Sequence, residues 1–91
     1  MATEPQATAL PPVEVVLGEV VTNLTMLAHA YLEPLPGDEA AGPDLEAAEI
    51  AIDVASRGYD RIQSRLSPQE RSAVGRLLTG VRLDYVKKRG L

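Results

Sequence analysis

The segment Ser67-Pro68-Gln69-Glu70 constrains the fold of this chain more than any other, because it marks the start of a helix. A serine N-cap accepts a hydrogen bond from the amide three residues on, and a glutamate at that position reaches back to the serine amide. Proline suits the first helical position, where its missing N–H costs nothing. We therefore predict a helix over residues 68–88. Its core stripe comprises Val74, Leu77, Leu78, Val81 and Tyr85.

The stretch before Ser67 has the apolar spacing of a helix that packs along one seam. Steps of three and four residues alternate, as at the a and d positions of a coiled coil. The seam residues are Leu45, Ala48, Ile52, Ala55, Tyr59, Ile62 and Leu66. Asp44 precedes them as an N-cap, so we predict a second helix over residues 45–66. Because the break at Ser67 is short, the second and third helices should form an antiparallel hairpin. The pattern leaves open whether the seam is an intrachain core or a dimer interface.

A first helix is predicted over residues 13–33. The apolar residues at helical spacing are Val13, Val16, Leu17, Val20, Leu24, Leu27, Ala28 and Tyr31. The β-branched start also fits a strand, but a strand of this length is uncommon. Pro34 ends the helix, since a residue before proline avoids the helical conformation. We expect this helix to lie across the hairpin.

Together these patterns predict an all-α fold of three helices in one domain, residues 13–89. A loop rich in Pro, Gly and Ala occupies residues 34–43, and residues 1–12 read as a flexible arm. The chain has 91 residues and lacks Phe and Trp, so its core must be modest and aliphatic. Stability is then either marginal or shared with a second copy.

Charge is divided sharply along the sequence. Residues 1–56 carry ten acidic side chains and no Lys or Arg, whereas residues 57–91 carry nine basic and three acidic ones. Such segregation concerns partners more than fold. The two halves can attract each other within one chain or between two chains.

The composition also bears on the compartment. The chain has no cysteine, which excludes disulfides and thiolate chemistry and suits a reducing cytosol. Its N-terminus lacks the positive and apolar segments of a signal peptide. No apolar run approaches the ~18–20 residues that cross a bilayer. We expect a cytoplasmic protein that does not act at a membrane.

No group of residues predicts catalysis or metal binding. His29 is the single histidine, and its only carboxylate neighbour at helical spacing is Glu33. Glu49 and Asp53 lie one turn apart and suit a hard cation, but Asp53 is also placed to pair with Arg57 four residues on. We favour that pairing. The sequence therefore predicts no catalytic residue, no metal site, no cofactor and no small-molecule substrate, and we expect the protein not to be an enzyme.

Basic residues of the second half form the candidate interaction surface. They are Arg57, Arg61, Arg65, Arg71, Arg82, Lys87 and Lys88. Such a surface can hold phosphates. However, no aromatic residues interleave it for base stacking, and the net charge of −4 opposes nucleic acid at long range. The preferred interpretations are contact with the acidic first half of the same or another chain, and a solvated face.

The order of several motifs resembles a small bacterial family known as domain of unknown function 1844. The likeness rests on residues 44–48, on the helix start at residues 66–70 and on Val81-Arg82 followed by Tyr85-Val86, and it spans roughly residues 13–88. It departs from the family pattern in the first helix, which has Val and Leu where aromatic residues are expected. The resemblance implies an all-helical bacterial domain without an assigned activity, and it supplies no functional residues.

We therefore predict a small helical protein-interaction module that associates with itself, most simply as a homodimer. In an antiparallel dimer, the acidic start of the second helix would meet the basic end of its copy. The alternative is a nucleic-acid-associated accessory protein that uses the basic half.

Overall fold

The computed structural model of this chain describes residues 10–33, 36–37 and 42–90. Helix α1 spans Val13–Leu32, α2 spans Leu45–Ile62 and α3 spans Pro68–Arg89, with a short 3-10 turn at Gln63–Arg65. The all-α prediction of three helices is confirmed. Most of the predicted arm at 1–12 and of the loop at 34–43 lies outside the described residues.

Local capping explains where α2 and α3 begin. The amide of Ala47 donates to the Asp44 carboxylate at 3.1 Å. At α3 the amide of Glu70 donates to the Ser67 hydroxyl at 3.1 Å, and the amide of Ser67 donates to the Glu70 carboxylate at 2.8 Å. Both predicted caps are therefore confirmed, because each depends only on residues within one turn.

The three helices run alternately up and down. Tyr59 donates from its hydroxyl to the carbonyl of Arg71 at 3.1 Å, which joins the end of α2 to the start of α3 as a hairpin. The amide of Asp44 donates to the carbonyl of Tyr31 at 2.9 Å. At the opposite end, Arg65 pairs with Glu14. Helix α1 therefore runs antiparallel beside α2 along its whole length, and the expectation that it would lie across the hairpin is wrong.

The core consists of small and medium aliphatic side chains between the three helices. Its buried residues are Val21, Ala28, Leu32, Ala48, Ala51, Ala55, Ile62, Leu66, Leu78 and Val81. Thr25 is also buried, and its hydroxyl donates to the carbonyl of Val21 at 2.8 Å. The α2 seam belongs to this core: Ile52 and Tyr59 pack against buried residues of the other helices. Of the two possibilities for the α2 seam, an intrachain core and a dimer interface, the structure shows the first.

Helix α1 turns to the core a face that overlaps the predicted stripe only in part, since Leu24 and Tyr31 of that stripe pack against the core without being fully buried. Its buried positions are Val21, Thr25, Ala28 and Leu32, of which only Ala28 belongs to the predicted stripe. By contrast, Val20 is 41% exposed and Leu27 is 43% exposed. Because α1 is apolar on more than one side, spacing alone could not select the side that packs against α2 and α3.

Gly58 allows α1 and α2 to approach closely. A Cβ atom at this position would lie 3.1 Å from Cγ2 of Val21, which is itself buried. Three alanines of α2, Ala48, Ala51 and Ala55, are buried along the same helix. Gly80 differs, since a Cβ there would meet nothing within 4 Å. The glycine that matters for packing is therefore Gly58, whereas Gly80 is simply tolerated in α3.

Within the described part of the chain, α1 is also long and apolar enough, by length and composition, to cross a membrane. This corrects the expectation that no segment approaches that length. Glu14 and Glu19 interrupt the apolar run, but the average over the helix remains high. Core helices of soluble proteins and signal sequences meet the same criterion.

Replacing Gly80 with alanine should stabilise the protein. Alanine has the higher helix propensity, and open space surrounds this position, so Gly80→Ala should raise the free energy of unfolding by about 0.5–1 kcal/mol. Gly58→Ala gains the same propensity but must displace Val21, so its effect should be smaller or destabilising. Urea unfolding followed by circular dichroism, at matched protein concentration, measures both. Equal stabilisation by the two variants would contradict the close approach at Gly58.

Candidate protein-interaction surface

Apolar side chains of different sizes, some of them exposed, lie together along one edge of the contact between α1 and α2. They line one shallow groove between the two helices: Leu24, Leu27 and Tyr31 from α1, with Ala47, Ile50, Ala51 and Val54 from α2. Ile50 is 58% exposed and Val54 is 49% exposed. We call this groove the α1–α2 apolar face. It leaves apolar area in water that an ordinary core helix would bury.

The apolar zone continues along α1. Val13, Val16 and Val20 are exposed and stand at helical spacing from Leu24 and Leu27. Residues three, four or seven apart share one side of a helix. The α1–α2 apolar face is therefore one part of a stripe that follows α1 through most of its length.

On α2 the apolar face merges into a strip that also carries charge. The strip consists of Glu46, Ile50, Val54, Arg57 and Arg61, which follow one another at intervals of four, four, three and four residues. All five side chains are exposed. An acidic residue therefore stands at the start of the strip, apolar residues at its middle and basic residues at its end.

Two of the predicted basic residues, Arg57 on α2 and Arg65 in the turn that follows it, form ion pairs with different partners. Nε of Arg57 donates to the carboxylate of Asp53 at 3.1 Å, which confirms the predicted pairing within the helix. Nε of Arg65 donates to Oε1 of Glu14 at 2.8 Å. Hydrogen bonding from Arg65 is the main reason that the pKa of Glu14 is lowered. This second pair fixes the start of α1 to the end of α2.

A cluster of charged groups joins the far end of α1 to α3. Nζ of Lys88 donates to the carboxylates of Glu33 and Asp84. These contacts, chiefly the hydrogen bond with Glu33, raise the pKa of Lys88. Nδ1 of His29 lies 3.4 Å from Asp84. His29 therefore has a structural neighbour on α3 that its position in the sequence did not reveal.

Arg71 and Arg82 contact the polar atoms of α2 and its end. The guanidinium of Arg71 donates to the carbonyls of Gln63 and Leu66, at 3.3 and 2.9 Å, and so satisfies groups that the helix end leaves unpaired. Arg82 donates to the hydroxyl of Ser56. Both arginines therefore hold α3 against the preceding segment.

Arg61 and Lys87 differ from the other five residues of the predicted surface. Neither forms an ion pair or a side-chain hydrogen bond with any described residue. Arg61 continues the α2 strip, whereas Lys87 lies in the last turn of α3. The structure thus brings Arg57 and Arg61 together on one strip and distributes the remaining candidates among other sides of the bundle.

Sequence reasoning did not identify the exposed apolar residues as a surface. Val16, Val20 and Leu27 belong to the predicted apolar stripe of the first helix, and Ile50 and Val54 lie outside the predicted seam of α2. The signal that could have found the last two is their spacing of four residues, displaced from the seam towards Ala47 and Ala51.

No family model, curated protein or solved structure matches this chain. The resemblance to domain of unknown function 1844 therefore stays a prediction.

The Glu14–Arg65 pair should make stability depend on pH in the acidic range. Because the pKa of Glu14 is lowered in the folded state, the pair stabilises the fold above the ordinary pKa of glutamate. That stabilisation is lost as the pH falls through the lowered pKa. Carboxyl-carbon NMR should show Glu14 titrating below the usual glutamate range, and Arg65→Gln should move its pKa upwards. An unchanged titration in Arg65→Gln would contradict the pairing.

Proposed function

We propose that this chain is a small cytoplasmic protein-interaction module that associates with a second copy of itself through the α1–α2 apolar face. The single observation that carries this proposal is the exposure of Leu27, Ile50 and Val54 beside one another on two adjacent helices. Contiguous exposed apolar surface is typical of sites that bind another macromolecule. Burying it against a second copy removes apolar area from water on both chains at once.

The charge around this face favours a protein partner over a membrane. Helices that lie in a membrane interface carry Lys and Arg beside their apolar side. Helix α1 contains neither residue, and on α2 the basic residues Arg57 and Arg61 lie only towards the end. The exposed acidic residues Glu46, Glu49 and Asp53 occupy its first half. Anionic lipids would repel these carboxylates.

The contacts of the basic residues favour self-association over binding of nucleic acid. Phosphate binding needs cationic groups that are free to face one backbone. Arg57, Arg65 and Lys88 already pair with carboxylates of their own chain. Arg71 is engaged with carbonyl groups. A nucleic acid would have to displace several of these contacts.

Light scattering behind a sizing column, over a range of concentrations, tests the proposal. We expect a mass approaching twice the 9.7 kDa of one chain. Ile50→Lys should lower the association constant at least about tenfold, because it places an unpaired ammonium group in an apolar contact.

The matched control is Leu83→Lys, on the solvent side of α3, where the leucine is 61% exposed. It adds the same charge and should leave association unchanged. A wild-type protein that remains a monomer at every concentration would refute self-association. A monomer that instead floats with vesicles of anionic lipid would assign the apolar face to a membrane.

A further inference from the structure

The α2 strip combines three features that together define a partner. Its residues Glu46, Ile50, Val54, Arg57 and Arg61 are all exposed. Glu46 and Arg61, at its two ends, form no ion pair with any described residue. The apolar middle is widened by Leu27 and Tyr31 of α1, which line the same groove. The strip therefore presents opposite charges, with no ion-pair partner in the described part of the chain, on either side of an apolar centre.

The α2 strip is complementary to a second copy of itself that runs in the opposite direction. When two copies of α2 lie antiparallel, Val54 meets Val54 of the second copy, and each Glu46 faces an Arg61. Glu46 stands eight residues and Arg61 seven residues from Val54. Across the axis the two charged positions are therefore offset along the helix by the rise of one residue, ~1.5 Å. Ile50 then lies against the aliphatic stem of Arg57, which keeps its charged group near Asp53.

A parallel arrangement has the opposite electrostatics. It would place Glu46 against Glu46 and Arg61 against Arg61, so like charges would meet at both ends. Like-charge contacts at an interface are unfavourable and select against a wrong orientation. The direction of pairing therefore follows from the order of charges along α2.

We infer that the partner of the α1–α2 apolar face is a second copy docked by an antiparallel α2–α2 contact, with Val54 on the two-fold axis and Glu46 paired with Arg61 across it. This inference rests on the proposed function and adds the register of the contact. Within the chain, acidic residues of the first half pair with basic residues of the second half, as in Glu14–Arg65 and Glu33–Lys88. The inferred pair of Glu46 with Arg61 repeats this kind of contact between two chains.

Charge reversal tests the register by sedimentation equilibrium. Glu46→Arg and Arg61→Glu should each weaken association on the order of tenfold, because a dimer contains two such pairs and each becomes repulsive. The double variant, with both changes in one chain, should recover most of the wild-type affinity. Arg76→Glu is the matched control, since Arg76 is exposed on α3 and forms no ion pair with any residue that the structure describes. It should have no effect.

The double variant also guards against an effect on folding. Each single change places a charge unfavourably at an end of the α2 dipole, and the double variant carries both changes. Recovery of affinity can then come only from restored pairing between chains. Circular dichroism should show the same helix content in all variants.

Cross-linking gives a second readout, because the natural chain contains no cysteine. Under mild oxidation Val54→Cys should form a disulfide-linked dimer, since the two thiols meet at the axis. Glu46→Cys should not, because its copy lies at the far end of the contact. A parallel contact would link both variants.

The outcomes separate the two proposals. A wild-type monomer overturns both self-association and the register. A wild-type dimer that is indifferent to Arg61→Glu, or that the double variant does not restore, overturns the register and leaves self-association standing. Cross-linking through Glu46→Cys as readily as through Val54→Cys would likewise overturn the antiparallel contact.

Discussion

The close approach of α1 and α2 determines the rest of this structure. It depends on small residues: Gly58 admits Val21, and the buried alanines of α2 leave room for α1. Small residues let helix backbones come together, but each buries little apolar area. The interface is therefore tight without being large, and bulky residues such as Leu27, Ile50 and Val54 remain at its margin. A chain that packs in this way keeps a substantial apolar surface for another contact.

Electrostatic contacts hold the ends of the bundle where the core is thin. Glu14 and Arg65 join the start of α1 to the end of α2, while Lys88 ties Glu33 and Asp84 together at the other end. All of these groups are at least partly exposed, so each contact adds little stability by itself. Their main effect is on the alignment of the helices, because each contact joins a particular end of one helix to a particular end of another. Glu46 and Arg61 form no ion pair with any described residue, and in the proposed dimer they would align a second chain in the same way.

Features that depend on neighbouring residues could be predicted from the sequence. The caps at Asp44 and Ser67 were found because one turn contains all of their atoms, and the pairing of Asp53 with Arg57 follows from helical spacing. The end of α2 was placed too late, because the carbonyls of Gln63 and Leu66 are satisfied by Arg71 in a tighter turn.

Features that depend on packing could not be predicted in the same way. Helix α1 is apolar on several sides, so no periodicity distinguishes Val21 and Leu32, which are buried, from Val20 and Leu27, which are exposed. Glu14, the partner of Arg65, and Glu33, one of the two partners of Lys88, lie more than fifty residues away in sequence. Only the assembled bundle distinguishes charged groups that pair within the chain from those that have no partner among the described residues, and the proposed contact uses the second kind.

The central claim is that the α1–α2 apolar face is open in the single chain and covered on association. Methyl NMR over a dilution series tests it most directly, with Leu27, Ile50 and Val54 as reporters and Leu83 and Val86 of α3 as references. We expect the methyl resonances of the three reporters to shift or broaden as the concentration rises, while those of the two references do not change. Concentration-dependent shifts confined to α3, or none at any position, would contradict it.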